Sequence, residues 1–189
     1  VTEQLFYFDQ PTPGYANDSQ EFIGVLDDDL IFSHDGGLID GYLPFEISSQ
    51  TGSEIRYTYS ATNTSSYSEP NESSFLYPTS GLGVAPAIGN AVFRAKSFKE
   101  NYISRFSKTR VFSFNSYSDF PIIHLVSDVY NLFDEDYGIY AYGNDYDNNY
   151  PYFGANFWQD WERPVHISMY VNNELVIDQN AGIKIFGAY

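Results

Sequence analysis

Wherever apolar and polar positions alternate regularly along this chain, the period is two, and no long stretch repeats apolar residues at helical spacing. Glu54-Ile55-Arg56-Tyr57-Thr58-Tyr59-Ser60 sets Ile55, Tyr57 and Tyr59 on one face and polar groups on the other, which predicts a half-buried strand. Residues 91–98 (AVFRAKSF) and 109–114 (TRVFSF) carry the same signature, and Gly36-Gly37, Gly52 and Asn101 mark turns between such segments. Residues 30–114 therefore read as a small antiparallel sandwich. Within it, residues 60–90 are rich in Ser, Thr, Asn, Pro and Gly, follow no period, and read as a long loop or several short edge segments.

A second block follows Tyr117. Pro121-Ile122-Ile123-His124-Leu125-Val126 is a nearly continuous apolar run, which predicts a strand buried on both faces. Asp128 to Asp136 (DVYNLFDED) reads as one helical turn capped by Asp128. Val165, Ile167, Met169 and Val171 alternate with His166, Ser168 and Tyr170. Asn172-Asn173 then supplies a hairpin turn into Glu174-Leu175-Val176-Ile177, because Asn tolerates positive φ. Gly182 to Gly187 reads as one more strand. Upstream, Leu5-Phe6-Tyr7-Phe8 reads as a short strand running into a Pro11-Thr12-Pro13-Gly14 turn, too small to stand alone. The expected organisation is residues 1–29 as the end of a preceding domain and a linker, 30–117 as a sandwich, and 118–189 as a β-rich segment.

Composition agrees with an all-β chain: 18 Tyr and 16 Phe in 189 residues suit pleated, half-buried surfaces. Nine basic against 25 acidic residues, a net charge of −16, argue against a nucleic-acid or anionic-membrane partner. Six of the nine cations (Arg94, Lys96, Lys99, Arg105, Lys108, Arg110) fall within 17 residues, and they read as strand faces that meet acidic neighbours. The absence of cysteine removes disulfides, thiolate metal sites and a cysteine nucleophile. No apolar run approaches the roughly 18 residues of a membrane span, and residues 1–20 lack a signal-peptide pattern.

Candidate chemistry lies mainly in residues 144–160, a wet aromatic loop. Tyr152, Trp158 and Trp161 are its candidate ligand-binding residues, accompanied by Tyr146, Tyr150, Phe153 and Phe157. Such rings either stack on a glycan or a partner's apolar groups, or give a loop poor in aliphatics its own small core. Asp145, Asp147 and Asn149 alternate like the first three ligands of a calcium loop. Tyr150 stands where an EF-hand needs Gly and Asn156 where it needs Glu, so calcium would require an irregular site with Asp134, Glu135 or Asp136; otherwise these are solvated turn residues. Asp27-Asp28-Asp29 is a lesser ion candidate, since neighbours in an extended chain point opposite ways. Of the three histidines, His34, His124 and His166, the last two sit on strands of the second block but lack a defined third ligand for zinc, and His124 reads as a core histidine. Glu162 is the acid to watch, with Arg163 as its expected ion-pair partner. Asn17, Asn63 and Asn71 each open an Asn-x-Ser motif. No nucleophile elbow or phosphate-cradling loop is present, and no residue is assigned a catalytic role.

The order of motifs resembles two known families. Phe32-Ser33, Gly36-Gly37, the IRYT strand (Ile55 to Thr58), RAKSFKENY (Arg94 to Tyr102) and Thr109 to Phe114 resemble the β-sandwich of the C-terminal region of chitobiase-like enzymes, except that Ser60-Ala61-Thr62-Asn63 replaces an Asp-Gly turn. Pro121 to Tyr140, Asn156 to Tyr170 (NFWQDWERPVHISMY) and Asp178 to Tyr189 resemble the opening of secreted proteins related to the spore-coat kinase CotH. Residues 8–14 resemble the end of a lamin-tail-like domain. The resemblance implies an immunoglobulin-like β-sandwich followed by the start of a CotH-like region. In that family the ATP-handling lysine and the catalytic and metal-binding acids lie beyond the GIKIFG strand, so no residue here is matched to them. The expected function is a non-catalytic structural or adhesive part of a larger secreted or cell-surface bacterial protein. Its partners would be other domains of the same polypeptide or a surface protein. The alternatives are part of a CotH-type protein kinase whose catalytic residues lie beyond residue 189, and a carbohydrate-binding module using the aromatic loop. A last strand between Gly182 and Gly187 with nothing after it predicts a longer parent chain, because exposed edges are normally covered.

Overall fold

In a computed structural model, residues 5–17, 19–27, 29–60, 68–84, 90–114 and 119–186 are described. The chain runs through β1 (Gly24–Val25), β2 (Leu30–Phe32), β3 (Gly37–Ile39), β4 (Leu43–Phe45), β5 (Ile47–Ser49), β6 (Glu54–Ser60) and β7 (Phe75–Leu76). It continues through β8 (Leu82–Val84), β9 (Asn90–Phe98), β10 (Tyr102–Ile103), β11 (Lys108–Phe114) and β12 (Ile122–Val126). A short helix, α1 (Val129–Phe133), and a 3-10 turn (Asn156–Trp158) precede β13 (Arg163–Val171) and β14 (Glu174–Ile183). The fold is all-β, as the alternation predicts, and it is built in layers.

The central layer is a five-stranded sheet in the order β3-β11-β9-β6-β7. Its long strands pair antiparallel, as expected, but β3 lies parallel to β11, with Phe112 opposite Gly37 and Phe114 opposite Ile39. That pairing joins segments about 75 positions apart, so local turn signals give no hint of it. Over one face lie the two-stranded pairs β2-β5 and β4-β8. Their Phe32, Phe45, Ile47 and Val84 interlock with Phe93, Phe112 and Phe114 of the sheet. Phe45 sits at the centre, 5.2 Å from the Phe112 ring, 4.8 Å edge-on from Phe93 and 6.0 Å from Phe32. Ala91 and Ala95, both fully buried in β9, give those rings room to approach. Residues 60–90 are short edge segments where described, and 61–67 and 85–89 lie outside the described residues.

The opposite face of the central sheet receives a third layer, the antiparallel sheet β12-β13-β14. Val111 points away from the Phe112 core and packs with Val92 and Val126. β11 is thereby covered on both faces, and Thr109 to Phe114 are all buried. The β13-β14 hairpin turns through Asn172 (φ 51°) and Asn173 (φ 64°), the positive φ predicted for that pair. The Asn173 side chain also clamps β3, accepting from the Leu38 N–H at 2.7 Å and donating to the Leu38 carbonyl at 3.1 Å.

This third sheet corrects the expectation for residues 121–126. Ile123 and Leu125 are each 56% exposed, so β12 is not buried on both faces. Along β13, His166, Ser168 and Tyr170 are the inward residues, buried to 5%, 2% and 2%, while Ile167, Met169 and Val171 are only half-buried. The register aligns Ile123, Met169 and Ile177 in one outward row and Leu125 with Ile167 in the next. The sheet turns a polar face inward and an apolar face outward.

Three smaller expectations fare differently. Leu5 to Phe8 form no strand; a single bridge joins Tyr7 to Phe22 through two backbone bonds of 2.8 and 2.9 Å. Asp128 caps α1 as expected, accepting from the Tyr130 N–H at 3.0 Å. The two strands expected after the hairpin are one continuous β14 ending at Ile183, and Gly187 lies outside the described residues.

Candidate functional site

The long loop between α1 and β13 is held by buried Ile139, Ala141, Ala155 and Asn156. The Asn156 amide donates to the carbonyls of Glu135 (2.8 Å) and Gly138 (3.1 Å), tying the two arms of the loop together. Gly143 takes φ 78° directly beside that amide, where a Cβ would collide with it. Around this support Tyr142 makes the loop's own small core, with ring centroids 4.9 Å from Tyr146, 5.2 Å from Tyr152 and 5.5 Å from Phe157.

Other rings of the loop face water. Tyr150 is 76% exposed and Trp158 37%. The Trp158 Nε1–H donates to the Pro151 carbonyl at 2.8 Å, which fixes the indole. Tyr150, Tyr152, Trp158, Asp160, Lys184 and Phe186 line a cleft of about 490 Å³. Asp160 and Lys184 form an ion pair of 2.7 Å within that lining. The hydrogen bond and charge of Lys184 hold the Asp160 carboxyl below the usual value, and Asp160 in turn raises Lys184.

The structure brings together two of the three aromatic candidates. Tyr152 and Trp158 share the cleft; Trp161 does not, because its ring lies 4.8 Å from the Arg163 guanidinium, which is also 3.6 Å from the Tyr137 ring. Arg163 donates to the carbonyls of Tyr137 (2.9 Å) and Glu162 (3.2 Å), so it meets the backbone of Glu162 rather than the carboxylate expected. Asp160, Lys184 and Phe186 escaped sequence reading: β14 returns the last two to the loop, and no local pattern announces that meeting.

For the calcium candidates, Asp147 accepts from the Asn149 N–H (2.9 Å) and side-chain amide (2.8 Å), bonds that lower its pKa. Asp145 is exposed, and its carbonyl crowds Gly154. Asp134 caps the N–H groups of Asp136 and Tyr137, each at 3.0 Å. Among the described residues no three His, Asp or Glu side chains gather into a group that could hold a metal. Asp27 pairs with Arg105 while Asp29 turns inward to Ser49 and Ser53; Asp28 lies outside the described residues. Of the Asn-x-Ser motifs, Asn71 folds back on Ser73 at 2.9 Å, and Asn63 lies outside the described residues.

The charged residues of the inner layers form a seam between sheets. Arg110, 4% exposed, reaches Asp178 at 2.8 Å and Asp35 at 3.3 Å, and His166 Nε2 lies 3.1 Å from Asp178. Burial pushes the Asp178 carboxyl up, but the His166 hydrogen bond and the Arg110 charge more than offset this, leaving it below the usual range. His124 lies on the same face, 3.1 Å from Ser113 Oγ, and burial lowers its pKa. Tyr170 completes the seam by donating to the Asp35 carbonyl at 2.8 Å. A wider cleft of about 810 Å³ opens beside it, lined by Arg94, Ser107, Val126, Arg163 and His166. Arg94 there is bound to Glu69 and Ser107. These are structural pairings between layers. Among the described residues, no helix is long and apolar enough to cross a membrane. The chain matches no protein-family profile, no curated protein and no solved structure.

Proposed function

We propose that these residues are a non-catalytic structural and adhesive part of a larger secreted or cell-surface bacterial protein. In this reading an immunoglobulin-like sandwich is braced against the leading sheet of a CotH-like region. The observation that carries it is the outward face of β12-β13-β14, where Ile123 and Leu125 (each 56% exposed) and Ile177 (37%) stand in rows with Ile167 and Met169. Contiguous apolar rows facing water mark a surface that other protein covers. The inward seam of Arg110, Asp178, His166 and Tyr170 supports the same reading, since it holds the sheet in one orientation with that face turned out.

The intact mass of the protein isolated from its source is the deciding measurement. A mass well above 21.5 kDa is expected; a mass matching these 189 residues overturns the proposal. ATP-dependent phosphorylation by the parent, absent from these residues alone, would identify that parent as a CotH-type kinase and these residues as its non-catalytic part.

A further inference from the structure

We infer that the cleft between Trp158 and Lys184 binds a neutral saccharide, an assignment independent of what the parent protein is. Two of the cleft's rings stand open to solvent, Tyr150 at 76% and Trp158 at 37% exposure, and Trp158 packs against Phe153 with 5.2 Å between ring centroids. The indole N–H of Trp158 is spent on the Pro151 carbonyl, so the ring is held still and offers the cleft an apolar surface. Immobilised aromatics of this kind bind at low entropic cost, and the C–H face of a sugar ring is a flat apolar partner for them. Beside Ile185 and Phe186 the cleft also carries polar groups. Asp160 and Lys184 place an acceptor and a donor 2.7 Å apart, beside Gln159. A small pocket combining apolar walls with a few convergent polar groups suits a small ligand that presents both surfaces, and the hydroxyl rim of a saccharide supplies the second.

Charge narrows the class further. Asp160 and Lys184 cancel each other locally, and the molecule carries −16 overall, so an anionic ligand would be repelled. An apolar peptide would cover the rings but make no use of the paired Asp160 and Lys184 beside them.

The chain has two tryptophans, so Trp161→Phe leaves Trp158 as the sole indole reporter. This variant is titrated with neutral hexasaccharides of glucose, xylose, mannose and N-acetylglucosamine while its emission is followed. A saturable shift with at least one sugar is expected, together with at least tenfold weaker binding after Tyr150→Ala or Asp160→Ala. Both side chains are largely exposed, so the far-UV circular dichroism and the melting temperature should be unchanged. Retention of the unsubstituted protein on the same sugars in affinity electrophoresis gives the same reading without any tryptophan replacement. The assignment is overturned if none of the four sugars binds in either format, or if Tyr150→Ala and Asp160→Ala bind as tightly as the parent sequence.

Discussion

Asp29 shows how one residue can carry charge inside this fold. Its side chain is buried, and burial alone would push the carboxyl up. Hydrogen bonds from Ser49, Ser53 and the Thr51 N–H outweigh that effect and hold it at about 2. A carboxyl depressed in the folded state adds stability above its unfolded value near 4, and that stability is lost as pH falls through the folded value. Asp29→Asn should therefore be less stable than the parent by about 2 kcal/mol at pH 7, with the gap closing between about pH 4 and pH 2. Urea melts across that range check it; a gap that stays constant would refute the account. His124 gives the corresponding effect at higher pH. Its pKa is lowered by burial, so the unfolded chain binds the proton more readily and stability falls as pH drops below about 6.5. His124→Gln should remove that component from a plot of melting temperature against pH. At this scale the sequence was legible where one side chain answers a local backbone demand, as with Asp128 and the Asn172-Asn173 turn. It was silent on Asp29, whose partners lie about 20 positions away.

Period-two alternation identified the strands but not which face of β13 would be buried, because a strand that alternates is symmetric to that question. Hydrophobicity alone would turn Ile167 and Met169 inward; the structure buries His166, Ser168 and Tyr170 instead. What decides the matter is the partner layer, where Arg110 and the Asp35 carbonyl wait for polar groups that no reading of β13 alone reveals. Two substitutions separate the faces. Tyr170→Phe removes the bond to Asp35 and should cost about 1 kcal/mol in equilibrium unfolding. Leu125→Thr lies on the outer face and should change stability by no more than about 0.5 kcal/mol while raising solubility. The opposite ranking would mean that the outer face is the true core. The aromatic loop was legible by composition, and Tyr152 and Trp158 do meet. Trp161 lies outside that cleft with its ring 4.8 Å from Arg163, a separation that sequence proximity cannot show.

At the scale of the whole molecule, stability rests on the ring cluster between the β2-β5 and β4-β8 pairs and the central sheet. Phe45 touches three other rings in it and is 2% exposed. Phe45→Ala should cost about 3–5 kcal/mol, enough to unfold a marginal domain near physiological temperature, as calorimetry would show. The all-β class was legible from the abundance of Tyr and Phe and the missing helical period. The layering was not, since it depends on pairings such as β3 with β11 that close over long stretches of chain.

That pairing has a mechanical consequence. Two early strands, β1 and β3, run parallel to the later strands β10 and β11. Tension that enters the chain before β3 and leaves it after β11 drags the two strands in opposite directions along their length. The hydrogen bonds between them lie across the pull and resist it together rather than opening one at a time, as an antiparallel hairpin pulled from its ends would. A fold arranged in this way holds its shape under stretch up to a sharp yield point, whatever is tethered at either side.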